Sequence, residues 1–186
     1  MDYEDVHIKY LEIHVHILNW RKIILIPFLR GCSNLRTQYL KFLARTFGDN
    51  ETAHEDYAEF ASMLSDIEND VVKLINTLCA IHSKNYKTFN AFENVEADLD
   101  GIEIFSPTGT DFSSFIDKVY RNFLKEFLEQ NFDYLSTLTM HVSSIFPSWA
   151  LYDNEIEKIK MTLSEIEQDT LRLMRYLEDI YCKNGD

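Results

Sequence analysis

The side chains in this 186-residue chain best suited to chemistry are six histidines, three cysteines and 31 carboxylates. Two Glu-x-x-His pairs occur, Glu4/His7 and Glu51/His54. Carboxylate-bridged di-iron bundles use that spacing to aim a carboxylate and an imidazole at one metal. Both pairs fall at predicted helix starts, whereas a di-metal centre needs them turned into a bundle core, so no metal and no cofactor is assigned. His14 and His16 point their rings apart on a helix and read as ordinary packing. Cys32, Cys79 and Cys182 are an odd count with no C-x-x-C spacing, which fits reduced thiols better than a disulfide framework or a zinc site. No G-x-S-x-G, H-E-x-x-H, phosphate-binding glycine loop or dinucleotide fingerprint is present. The chain is therefore expected not to be an enzyme.

Any function then depends on surfaces, and the elements decide which surfaces exist. Hydrophobic residues make up 46 % of the chain and aromatics 13 %, with only 5 Gly and 3 Pro. That composition supplies a real core and little turn material, which disfavours sandwiches and barrels. Breaks fall at Gly48-Asp49-Asn50, across Glu93–Thr110, and at Phe146-Pro147-Ser148. They delimit one domain of four predicted helices, about 4–47, 51–92, 111–146 and 150–182. In the second, Phe60, Leu64, Ile67, Val71, Leu74, Leu78 and Ile81 are spaced 4, 3, 4, 3, 4, 3. In the fourth, Ile156, Ile159, Leu163, Ile166, Thr170, Leu173, Leu177 and Ile180 alternate 3 and 4 throughout. These are heptad seams, which strands cannot produce. The third helix carries a wider apolar face and is expected to be buried on two sides. Residues 10–29 alternate in places like a strand but are assigned to helix, with a kink near Pro27. The fold class is all-α: an elongated antiparallel helical bundle with coiled-coil seams.

Charge is segregated along the chain. The net charge is −13, which disfavours nucleic acid, where phosphate neutralisation supplies most of the affinity. Yet no acidic residue lies between Ile13 and Gly48, a stretch holding Arg21, Lys22, Arg30, Arg36, Lys41 and Arg45, so it carries +6 and the rest −19. At 100° per residue Arg30, Lys41 and Arg45 share one side, and Phe28, Cys32, Leu35, Tyr39 and Phe42 the other. Such a ridge serves either as a solvated face or as a contact for anionic lipid headgroups or an acidic partner. The N-terminus opens with acids rather than a basic leader. The longest strongly apolar run, Ile23–Leu29, is far short of the ~20 residues of a membrane span. The expected location is cytoplasmic, with peripheral membrane contact.

Two stretches resemble a known family. The run from Leu35 to Leu78 resembles the start of BAR domains in oligophrenin-type Rho GTPase-activating proteins and their Arf-directed relatives. In those domains a Phe-rich first helix ends, a short acidic break follows, and a long helix opens on a pattern matched here by Phe60-Ala61, Leu64 and Ile67-Glu68-Asn69. The run from Phe115 to Trp149 resembles the family's returning helix, followed by a closing helix matched by Ile156–Ile180. The segment where the family's basic-tipped arm would lie, Glu93–Asp111, is short and acidic here. The resemblance implies a non-catalytic dimerisation module that associates with, and scaffolds or senses, curved membranes as an antiparallel homodimer. The alternative is an acidic helical adaptor that binds a protein partner without lipid affinity.

Overall fold

The computed structural model describes residues 3–48, 51–85, 112–145 and 153–184. All of the described residues except Gly48 are helical, and no strand occurs among them. The first long helix runs as α1 (Tyr3–Asn19), a π-helical segment (Trp20–Leu25) and α2 (Ile26–Phe47). Next comes α3 (Glu51–Asn85). The third long helix is α4 (Phe112–Lys118), a second π-helical segment (Val119–Lys125) and α5 (Glu126–Ile145), and α6 (Asp153–Asn184) closes the chain. At about 1.5 Å per residue the first long helix spans about 67 Å and α3 about 52 Å. Gly48 ends α2 with φ +73° and its N–H on the Ala44 carbonyl at 3.1 Å, a left-handed stop that glycine takes without a Cβ penalty. The predicted helical stretch 86–92 and residues 111, 146 and 150–152 lie outside the described residues.

Side-chain contacts fix the direction of each helix. Arg36 bonds Ser65 at 2.9 Å, so the first helix runs antiparallel to α3 as their hairpin requires. His16 meets Tyr134, Trp20 meets Asn131 and Phe28 stacks on Phe123, so the third helix also opposes the first. Arg172 reaches Asp66, and Tyr176 reaches the Asp56 carbonyl, so α6 opposes α3. The order is up, down, down, up, and Asn85 and Phe112 lie towards opposite ends of the bundle. The most extensive interface is between α3 and α6.

Two kinds of packing coexist in one contiguous core. The seam residues of α3 (Phe60, Leu64, Ile67, Val71, Leu74, Leu78) and of α6 (Ile156, Ile159, Leu163, Ile166, Leu173, Leu177) are all buried, none more than 5 % exposed. Their alternation of 3 and 4 averages 3.5, so the seam stays on one face over many turns. The first and third helices differ. Their buried positions include runs of four-residue steps, Trp20-Ile24-Phe28-Cys32 and Val119-Phe123-Phe127-Asn131-Leu135. Each such step advances 40° beyond a full turn in an ideal α-helix, and the drift must be absorbed for the stripe to stay inside. A π segment, with its i→i+5 bonding, takes up one extra residue, and each helix has one within its run of fours.

This corrects two expectations. The third helix is not buried on two sides: Asp117, Arg121, Asn122, Lys125, Glu126, Glu129, Asp133 and Ser136 are exposed along it. Its apolar residues look too widely spread for one stripe because the π segment rotates one half against the other. The irregularity expected at Pro27 lies upstream of it, as the π segment Trp20–Leu25 that ends two residues before the proline. There the widened backbone accommodates a ring that would otherwise crowd the carbonyl of the preceding turn.

Candidate functional site: the outward face of the first helix

The six basic residues of the first helix do not share one role. Arg36 is half-buried against α3, in an ion pair with Glu68 and a hydrogen bond to Ser65. Arg21 is also half-buried and lies near Cys79 of α3, where burial pushes the thiol up and the Arg21 charge partly opposes that shift. Lys22, Lys41 and Arg45 are exposed and Arg30 is half-exposed on the side away from the core. The sequence placed Arg30, Lys41 and Arg45 together, and they do share the outward face. Arg36 and Arg21 turn instead towards α3, because each lies about 100° or more round the helix from that face.

The same face is apolar towards the N-terminus. Ile8, Leu11 and Val15 are 53 %, 41 % and 52 % exposed, and Ile23 is 57 % exposed beside Lys22. The 3 and 4 spacing of Ile8, Leu11 and Val15 makes them one stripe, which continues through Lys22 and Ile23 into the segment of Arg30, Leu40, Lys41 and Arg45. From Ile13 to Phe47 no carboxylate interrupts it. Composition revealed the basic half of this surface. The apolar half was hidden among core residues of the same type, since only burial separates Val15 from Ile17.

Where the first and third helices meet, the core is polar. His16 Nε2 lies 2.7 Å from the Tyr134 carbonyl, and because a carbonyl only accepts, Nε2 carries the proton. The His16 ring stacks on Tyr134 with centroids 4.7 Å apart and lies 5.9 Å from His141. His141 Nδ1 is 3.6 Å from a Glu12 oxygen. Below them the Trp20 indole N–H donates to Asn131 Oδ1 at 2.5 Å, and Asn131 Nδ2 donates to the Phe127 carbonyl at 2.8 Å. Burial lowers the His16 pKa; the Tyr134 carbonyl opposes that shift and His141 reinforces it.

On another edge, α3 and α6 place Asp66, Asp70, Glu165 and Asp169 around Lys73 and Arg172. Lys73 lies 2.6 Å from Asp70 and 3.6 Å from Glu165, and Arg172 lies 2.5 Å from Asp66 and 3.7 Å from Asp169. Burial raises the Asp169 carboxyl; Arg172 opposes this, while Asp70 and Asp66 add to it. The Lys73–Glu165 and Arg172–Asp66 pairs cross-link the two helices and are about half exposed, so each contributes little to stability.

The Glu51/His54 pair does not face the core. Glu4, Glu51 and His54 are exposed, with the pairs at opposite ends of the bundle, and the His7 side chain lies outside the described residues. Among the described residues no group of three or more His, Cys, Asp or Glu converges as metal ligands would, and no helix is long and apolar enough to cross a membrane.

No family model, no curated protein and no solved structure matches this chain. Its own surfaces have to say what it does. The outward face of the first helix joins exposed apolar side chains to a stretch whose own sequence is basic, while the rest of the molecule is acidic.

Proposed function

We propose that the chain is a non-catalytic, BAR-like helical module that lays the outward face of its first helix on anionic, curved membranes. The observation carrying this reading is the continuous face built from Ile8, Leu11, Val15, Lys22, Ile23, Arg30, Leu40, Lys41 and Arg45. Each basic residue near an anionic leaflet contributes about 1 kcal/mol, and shallow burial of the aliphatic side chains adds to it. The −19 carried elsewhere opposes approach only weakly, since fields beyond about 8 Å are screened at physiological salt. The α3 and α6 seams are used up inside one chain. A homodimer would therefore pair through another surface, and its second copy would double the number of lysines and arginines facing the bilayer.

Two measurements test this. Purified protein should sediment with small acidic vesicles and less with large ones. Lys41→Glu combined with Arg45→Glu should reduce binding at least tenfold without altering the helical circular dichroism signal. In-line light scattering should give a dimer near 44 kDa, twice the 22.0 kDa chain. Absence of vesicle binding at any salt concentration would favour an acidic adaptor for a protein partner. A monomer at tens of micromolar would remove the dimer.

A further inference from the structure

The two π-helical segments flank a single opening. An open cleft of about 280 Å³ lies between the first and third helices. The first helix contributes Ile23 and Ile24 from its π segment, followed by Pro27 and Phe28. The third contributes Asn122 and Phe123 from its own π segment, followed by Glu126, Phe127 and Gln130. π segments are rare and concentrate at functional sites, and here both walls of one cleft carry one. The floor is rigid: Phe28 lies between Phe123 and Phe127, with ring centroids 4.9 and 3.6 Å away. All three rings are nearly buried, as is Ile24, whereas Ile23 stands exposed at the lip.

The polar groups of the cleft, Asn122, Glu126 and Gln130, all lie on one wall, and the one charged side chain among the lining residues is the Glu126 carboxylate. Glu126 is exposed to the opening, and Gln130 Nε2 donates to its Oε1 at 3.1 Å. That bond holds the carboxylate in place and leaves Oε2 free to accept. Asn122 adds a neutral amide, and no cationic side chain lines the space. An apolar body therefore meets the isoleucines and the phenylalanine edges, while a positive charge on it meets a fixed carboxylate. An anion of the same shape would be repelled by that carboxylate and find no cation among the lining residues.

We propose that this cleft is a binding site for a small amphiphilic cation, a compact aromatic or aliphatic body bearing a protonated amine. The body packs between Ile24, Pro27 and Phe28 on one side and Phe123 and Phe127 on the other, and its ammonium donates to Glu126. The site shares Ile23 with the vesicle-facing surface, but its charged group, Glu126, lies on the third helix rather than on the outward face of the first, so Glu126→Gln tests the cleft alone.

Three probes share one ring system and differ in charge: tryptamine, indole and indole-3-acetate. Their binding to the full chain can be followed by amide chemical shifts of the labelled protein. Tryptamine is expected to bind about fivefold tighter than indole, and indole-3-acetate more weakly than either, as suits one partly exposed ion pair. Glu126→Gln should bring tryptamine down to the affinity of indole while leaving indole unchanged. Ile23→Trp, at an exposed position that folding does not depend on, should block tryptamine and indole together. Equal binding of the anion and the cation, an unchanged tryptamine preference in Glu126→Gln, unaffected binding in Ile23→Trp, or no binding of tryptamine to the folded chain at millimolar concentration would each overturn the assignment.

Discussion

Replacing Thr170 by valine is expected to stabilise the chain by about 1 kcal/mol, because the hydroxyl is buried in the α6 seam with no hydrogen-bond partner among the described residues and valine keeps the shape without the desolvated oxygen. Urea denaturation measures it directly; a loss of stability would mean that the hydroxyl is satisfied. Asn131→Ala works in the opposite sense. It strands the Trp20 indole N–H inside the core and should cost about 2–3 kcal/mol, and adding Trp20→Phe should return part of that loss if the pair is coupled. His16 sets a dependence on pH. Its pKa is lowered in the folded chain, so below about pH 6.5 the unfolded chain binds the extra proton and the folded one resists it. The contribution of His16 is complete above about pH 6.5 and is lost as pH falls towards its lowered native value. His14, also lowered by burial, acts in the same direction. Denaturation midpoints at about pH 7.5 and about pH 5.5 should differ less in His16→Gln, which keeps a donor towards the Tyr134 carbonyl, than in the parent chain.

Element spacing explains which parts of the fold could be read from the sequence. A regular alternation of 3 and 4 in α3 and α6 states both the helix type and the buried face, and each seam residue named from that pattern is buried. Leu74→Ala or Leu173→Ala should accordingly cost about 2–5 kcal/mol, whereas Val72→Ala, at an exposed position, should change stability by less than about 0.5 kcal/mol. In the first and third helices the runs of fours carried the missing information. Read on an ideal helical wheel they broaden the apolar face, and only a local change of winding turns them back into a stripe. Pairings such as Arg36 with Glu68 depend on how two helices meet, which single-helix spacing does not encode. Deleting Ile23 gives an element-level test, since removing one residue from a π segment converts it to an α turn and preserves the register on both sides. The deletion should leave the bundle folded by circular dichroism and cooperative melting. Deleting Lys73 from the regular α3 should unfold it, because everything beyond rotates by about 100°. Equal damage from both deletions would show that the π segment is not absorbing the drift.

At the scale of the whole molecule, positive charge faces outward from the first helix, and α6 lies diagonally across the bundle from it. Vesicle association should therefore weaken steeply as salt rises towards about 1 M, where the screening length falls to about 3 Å. Association that persists at that salt would show that Ile8, Leu11 and Val15 act without the lysines and arginines. The topology has a separate consequence. The α3–α6 interface, the most extensive in the chain, joins residues more than a hundred positions apart, as Asp66 and Arg172 do. Residues 3–85 and 112–184 are thus two helical hairpins, each exposing half of a shared interior until it meets the other. Folding should be governed by that docking step and run slower than in bundles built from local contacts. Produced as separate polypeptides, residues 1–85 and 112–186 should behave as a complementing pair, insoluble singly and copurifying when expressed together.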